Sequence, residues 1–187
     1  MTTASIQEIK KELRSHDADS LQELCARLAK YKKENKELLN YLLFEAHNEK
    51  AYVENVKEEI HELFKTVPAS NIYFIKKSLR KILRFVNKQI KYSGIAQTEL
   101  EVRIFFCTKV KETKIPLPVG TVLYNLYQGQ IKKIESALAK LPEDIQADYE
   151  RELKLISNWK TVVEYRRKVF LLYVDLFKSF NPQSWIR

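Results

Sequence analysis

Three glycines and five prolines in 187 residues leave this chain few ways to turn sharply. That scarcity constrains its fold more than any other feature. An all-β domain needs turn residues roughly every 8–12 positions, and the sequence cannot supply them. The apolar spacing points the other way. Ile6, Ile9 and Leu13 fall at i, i+3 and i+7, the period of one helix face. Leu21, Leu24 and Leu28 repeat it, followed by Leu38, Leu39, Leu42 and Leu43, and then by Val53, Val56, Ile60, Leu63 and Phe64. The expected fold is all-α, a multi-helix domain of about eight or nine helices.

Terminal signals place the helices. Ser5 with Glu8 forms a capping-box pair, Ser20 with Glu23 repeats it, and Asn35 is a candidate cap for a third helix. The turn from Thr66 to Asn71 opens a longer fifth helix that ends near Ser93 and Gly94, where glycine suits a left-handed C-terminal residue. A sixth helix is expected from about Thr98 to Lys111, and Ile115-Pro116-Leu117-Pro118 is the clearest break. A seventh runs to about Lys140, and Pro142 suits the first position of an eighth. The last, roughly Lys160 to Phe180, is apolar nearly all round and is expected to be central. The architecture expected is one all-α domain over residues 1–187. It subdivides into a helical front half, 1–114, with helix-pair stacking, and a C-terminal bundle of longer helices, 117–187. Front-half helix pairs span about 30 residues, short of the roughly 40–47 of HEAT and armadillo units, so the chain is repeat-like only loosely.

Two cysteines, Cys25 and Cys107, lie far apart, unlike the dense sets of small secreted domains. Both are expected to be reduced and buried, acting as small apolar side chains. Met1 to Ile6 lack the basic stretch and apolar run of a signal peptide. The longest apolar run, Val169 to Val174, ends at Asp175, far short of the ~20 residues that span a bilayer. These features predict a cytoplasmic protein with no membrane partner.

Candidate chemistry is thin. Glu58-Glu59-Ile60-His61 contains Glu-x-x-His, which di-iron bundles place twice beside two further glutamates. The other histidines fail that test, because Leu13 stands three before His16 and Phe44 three before His47. No His-Glu-x-x-His, Cys-x-x-Cys, phosphate-binding glycine loop or Gly-x-Ser-x-Gly occurs. Gly120 and Gly129 are assigned to close packing or a fraying helix start. Tyr124, Tyr127, Trp159 and Trp185 are assigned to core and interface. No catalytic residue, metal or cofactor is expected.

Charge placement carries the functional expectation. The net charge is +9, and the excess concentrates in residues 67–115, which hold 11 Lys/Arg against 3 Asp/Glu. On the fifth helix, Lys76, Lys77, Arg80, Lys81, Arg84, Lys88 and Lys91 gather within an arc of roughly 140° at 100° per residue. Tyr73 falls in the same arc, with Phe74, Phe85 and Tyr92 at its far edge. Four like-charge i,i+4 pairs, 76–80, 80–84, 84–88 and 77–81, each cost about 0.2–0.5 kcal/mol, which a bound polyanion would relieve. Tyr73 and Tyr92 are candidates to stack on exposed bases. A competing arrangement lays Glu54, Glu58, Glu59 and Glu62 of the fourth helix against these cations.

The function expected is a non-enzymatic interaction module whose basic face binds an acidic macromolecule. Nucleic acid, RNA in particular, is slightly preferred over acidic protein. The binding residues are Tyr73, Lys76, Lys77, Arg80, Lys81, Arg84, Lys88 and Lys91. Arg166-Arg167-Lys168 is either a helix rim or an extension of that surface. One alternative is a protein–protein scaffold using apolar and aromatic surface of the C-terminal helices near Trp159 and Trp185. The other is an enzyme assembled from residues distant in sequence, around His61 or Cys107.

Overall fold

A computed structural model describes residues 2–156. It is 78% helical, with no strand among the described residues. In chain order the helices are α1 (Ile6–Leu13), α2 (Ala18–Tyr31), α3 (Lys33–Asn40), a π-turn (Tyr41–Glu45), α4 (Glu49–Lys65), α5 (Ile72–Ser93), α6 (Ala96–Glu112), α7 (Val122–Leu138), α8 (Glu143–Asp148) and α9 (Glu150–Ile156). The expected last helix, with Trp159, Trp185 and Arg166-Arg167-Lys168, lies outside the described residues. No helix among them is long and apolar enough to cross a membrane.

Local chemistry explains most boundaries. Ser5 and Glu8 form the expected capping box of α1. Asp17, not Ser20, caps α2, its carboxylate accepting the Ser20 amide at 2.8 Å. A carboxylate at the helix start gains from the dipole as well as the hydrogen bond, so the earlier residue wins. Asn35 caps nothing. It lies inside α3 and donates its amide to the Leu28 carbonyl at 2.9 Å, tying α3 to the end of α2. Asn71, the last residue of the turn expected to open α5, is its cap, accepting from the Tyr73 and Phe74 amides. Gly94 ends α5 with φ of 68°, a left-handed value that a side chain rarely tolerates. Gly129 does not mark close packing, because an added Cβ there meets nothing within 4 Å.

The core is built around α6, which packs against α4, α5, α7 and α9. Leu100, Val102, Phe106 and Cys107 are fully buried on it. Helix α4 buries Val53, Val56, Ile60 and Phe64 of its expected stripe. The 3.6-residue spacing of α5 puts Ile72, Ile75, Leu79, Ile82, Leu83, Val86 and Ile90 on one side, and all but Ile72, which is exposed at the helix start, are buried. Two polar side chains are buried on α6 as well. Arg103 donates to Glu99 at 2.8 Å, to Asn87 of α5 at 3.0 Å and to Gln130 of α7 at 2.8 Å. A buried guanidinium this fully partnered locks three helices in register. Glu49 at the start of α4 accepts from Tyr41, Ser93 and Thr98, gathering the π-turn, the end of α5 and the start of α6.

The amino-terminal helices behave differently. Helices α1, α2 and α3 bury no residue. The leucines expected to form an inward stripe, Leu38, Leu42 and Leu43, are exposed. Leu42 and Leu43 lie in the π-turn, in which the Ala46 amide reaches the Tyr41 carbonyl at 2.8 Å. One extra residue in the turn rotates the face, burying Tyr41 and setting Leu42, Leu43 and Phe44 outside.

Candidate nucleic-acid interface

The basic face stands on a helix whose other side is held firmly. The α5 apolar residues sit in the core, Asn87 is tied to Arg103, and the Tyr52 hydroxyl donates to the Gln89 carbonyl at 3.1 Å. Spacing alone then dictates the outward side. Lys77, Arg80, Lys81, Arg84 and Lys91 are exposed, and Lys76 and Lys88 are half-buried. Rising about 1.5 Å per residue, the face from Tyr73 to Lys91 is about 27 Å long.

The fate of each cation decides what the face can do. Of the four α4 glutamates that could have faced these cations, Glu54 pairs with Lys57 at 2.9 Å and Glu62 with Lys65, both within α4, and Glu58 and Glu59 form no ion pair among the described residues. Lys57 reaches a second carboxylate, Glu101 of α6, at 3.1 Å. Neither Glu54 nor Glu62 meets a cation of α5. Of the seven basic residues only Lys88 has an ionic partner among the described residues, Glu37 of α3 at 2.7 Å. The same Glu37 oxygen accepts the Tyr92 hydroxyl at 2.9 Å. The Lys88 ammonium holds the Glu37 carboxyl below the usual carboxylate range, against the opposing effect of burial and with help from Tyr92. Lys76, Lys77, Arg80, Lys81, Arg84 and Lys91 carry no ion pair among the described residues.

These side chains surround a concavity. An open groove of about 500 Å³ is lined by Tyr73, Lys76, Lys77, Arg80 and Arg84, with Leu83 and Asn87. A second of about 590 Å³, toward α3, shares Arg84 and Asn87 and includes Phe85, Lys91 and Glu34. The two adjoin along α5, but acid increases toward the second. The Tyr73-to-Arg84 stretch is therefore the strongly positive part. Tyr73 is 60% exposed with the Lys76 ammonium 5.9 Å from its ring centroid. Tyr92 is 9% exposed and tied to Glu37. It is unavailable for stacking, which removes one of the two stacking candidates.

The other candidate residues stay apart. His61 and Glu58 are exposed on α4, and no group of three or more His, Cys, Asp or Glu side chains capable of holding a metal occurs among the described residues. Burial pushes the Cys107 thiol up to about 12, so it is protonated and shielded. Cys25 is exposed rather than buried. It lines an apolar groove of about 280 Å³ between α2 and α3 with Leu28, Leu38 and Leu42. That groove was legible only in part: the spacing marks the apolar stripe, but nothing in it shows that no helix of the described fold covers it. Comparisons with protein-family models, with curated proteins and with solved structures find no match to this chain.

Proposed function

We propose that the protein is a non-enzymatic helical module that binds nucleic acid through the outward face of α5. The observation that carries this reading is the six cations of one face that have no ionic partner among the described residues, next to an exposed tyrosine in an open groove. A one-sign face of this density repels itself, and phosphate neutralisation with counterion release turns that cost into affinity. The basic face runs about 27 Å along α5 from Tyr73 to Lys91, a length that suits a polymer more than a small substrate. The phosphate contacts fall to Lys76, Lys77, Arg80, Lys81 and Arg84, with Lys91 at the margin and Lys88 withheld by Glu37.

The test is titration of labelled oligonucleotides against the wild type and the K77E/R80E/R84E variant. The wild type should bind at low salt in the roughly 1–100 μM range of sequence-independent contacts, and the variant should not bind. Equal binding by both would move the site elsewhere and overturn the reading.

A second reading has its own observation. The exposed apolar residues of α1 to α3, with the groove at Leu28, Leu38 and Leu42, form the surface a protein–protein scaffold would use. It lies at the amino-terminal helices, whereas the expected scaffold surface near Trp159 and Trp185 is outside the described residues. This reading predicts concentration-dependent association in sedimentation that L28D/L42D removes. A monomer at all concentrations would remove a second copy as the partner.

A further inference from the structure

The position of Tyr73 narrows the ligand further, resting on the nucleic-acid reading of α5. Ile72, Tyr73 and Phe74 are consecutive, and all three are exposed, at 56%, 60% and 48%. The Asn71 cap holds them in the first turn of α5 and so displays them instead of letting them fold into the core. The Tyr73 and Phe74 rings meet edge to face with centroids 5.4 Å apart, a preferred aromatic geometry that makes a small fixed platform. The hydroxyls of Tyr41, Tyr52, Tyr92, Tyr127 and Tyr149 are all hydrogen-bonded. Those of Tyr31, Tyr73 and Tyr124 have no partner among the described residues, and of these three only Tyr73 stands among the cations of α5. Its ring is therefore neither core packing nor a structural hydroxyl anchor.

We infer that the ligand is a single-stranded nucleic acid, with an unpaired base stacked on Tyr73 and its flanking phosphates held by Lys76, Lys77 and Arg80. In a duplex the base faces are covered by their neighbours, and a tyrosine among phosphate-binding cations would meet sugar and phosphate, with nothing to stack on. A single strand can turn a base out onto the ring while its backbone follows the cations. From Lys77 through Arg80 to Arg84 they rise in steps of about 4.5–6 Å. Stacking of this kind tolerates any base, which fits a platform whose contacts are ring faces rather than convergent donors and acceptors.

The experiment titrates the full chain with three labelled probes of about twelve nucleotides: oligothymidylate, a strand of abasic sites with the same phosphates, and a thymidine–adenine duplex. Oligothymidylate should bind several-fold more tightly than either other probe. Y73A should weaken oligothymidylate binding by about 5- to 150-fold and leave the abasic strand unchanged. Y73F, which keeps the ring, should restore it. Tyr73 is exposed, so the melting temperature of Y73A should match wild type. Abasic and base-bearing strands binding equally, a duplex binding more tightly, or an indifferent Y73A would each overturn this inference. In those outcomes K77E/R80E/R84E would still abolish binding, and the broader reading would stand. If none of the three probes binds, both fall.

Discussion

Reversing three charges on α5 should stabilise the protein. In the wild type the i,i+4 pairs 76–80, 80–84, 84–88 and 77–81 are all like-charged. K77E/R80E/R84E leaves 80–84 like-charged and makes the other three opposite. Each converted pair loses a repulsion and gains an attraction of about 0.2–0.5 kcal/mol, so three together contribute on the order of 1–3 kcal/mol. Lys88 is already held by Glu37, which discounts one of the three and leaves about 1–2 kcal/mol. For a chain of this length 1 kcal/mol moves Tm by about 2–4 °C, so melts at low salt should rise by about 2–8 °C. The gain should shrink at about 0.5 M salt, where the screening length falls to a few ångströms. None of the three side chains has an ionic partner to lose among the described residues. Scanning fluorimetry at both salt concentrations measures this. A fall in Tm of several degrees would instead mean that the cations are paired internally.

Other consequences follow from neighbouring contacts. N71A removes the cap that accepts the Tyr73 and Phe74 amides and should cost about 1 kcal/mol, a Tm loss of about 2–4 °C; N71D should recover most of it. A thiol reagent should label Cys25 at once and Cys107 only on unfolding, since Cys107 is buried with its thiol pushed up to about 12; fast labelling of two thiols in the folded protein would contradict this. Glu37 has its carboxyl held below the ordinary 4.5. Its contribution is therefore complete above that value and is lost as pH falls through the lowered one. Hydrogen exchange should show α3 loosening in acid, and E37Q should loosen it at neutral pH by about 1 kcal/mol. Equal α3 protection in both proteins would sink the assignment.

The legible and illegible parts of the sequence separate along physical lines. The faces of α4 and α5 were readable because a two-sided helix with one buried stripe repeats every 3.6 residues. Ile75, Leu79, Ile82 and Val86 sit where that period puts them. The central role of α6 was not readable, because a helix buried on nearly every side, with Arg103 and Thr98 among its buried residues, shows no clear stripe. The outward turn of Leu42 and Leu43 was hidden for a different reason. It depends on one extra residue in the π-turn, and periodicity assumes a constant turn. At the candidate site the clustering of seven cations was visible in the sequence. Their pairing was not, because whether Glu54 and Glu62 reach across to α5 or bind Lys57 and Lys65 depends on side-chain geometry. Lys88 finding Glu37, fifty-one positions away, is likewise a tertiary event.

The most direct test of the basic face as a nucleic-acid interface is the salt dependence of oligonucleotide binding. Engagement of three or four phosphates predicts a log–log slope of roughly −2 to −4 for the affinity of wild type, from coefficients of about 0.7 and 0.9 per phosphate. Removing one free cation, as in R80A, should make the slope shallower by a little under about 1. Binding that is indifferent to salt, or no binding below about 100 μM at low salt, would contradict the account.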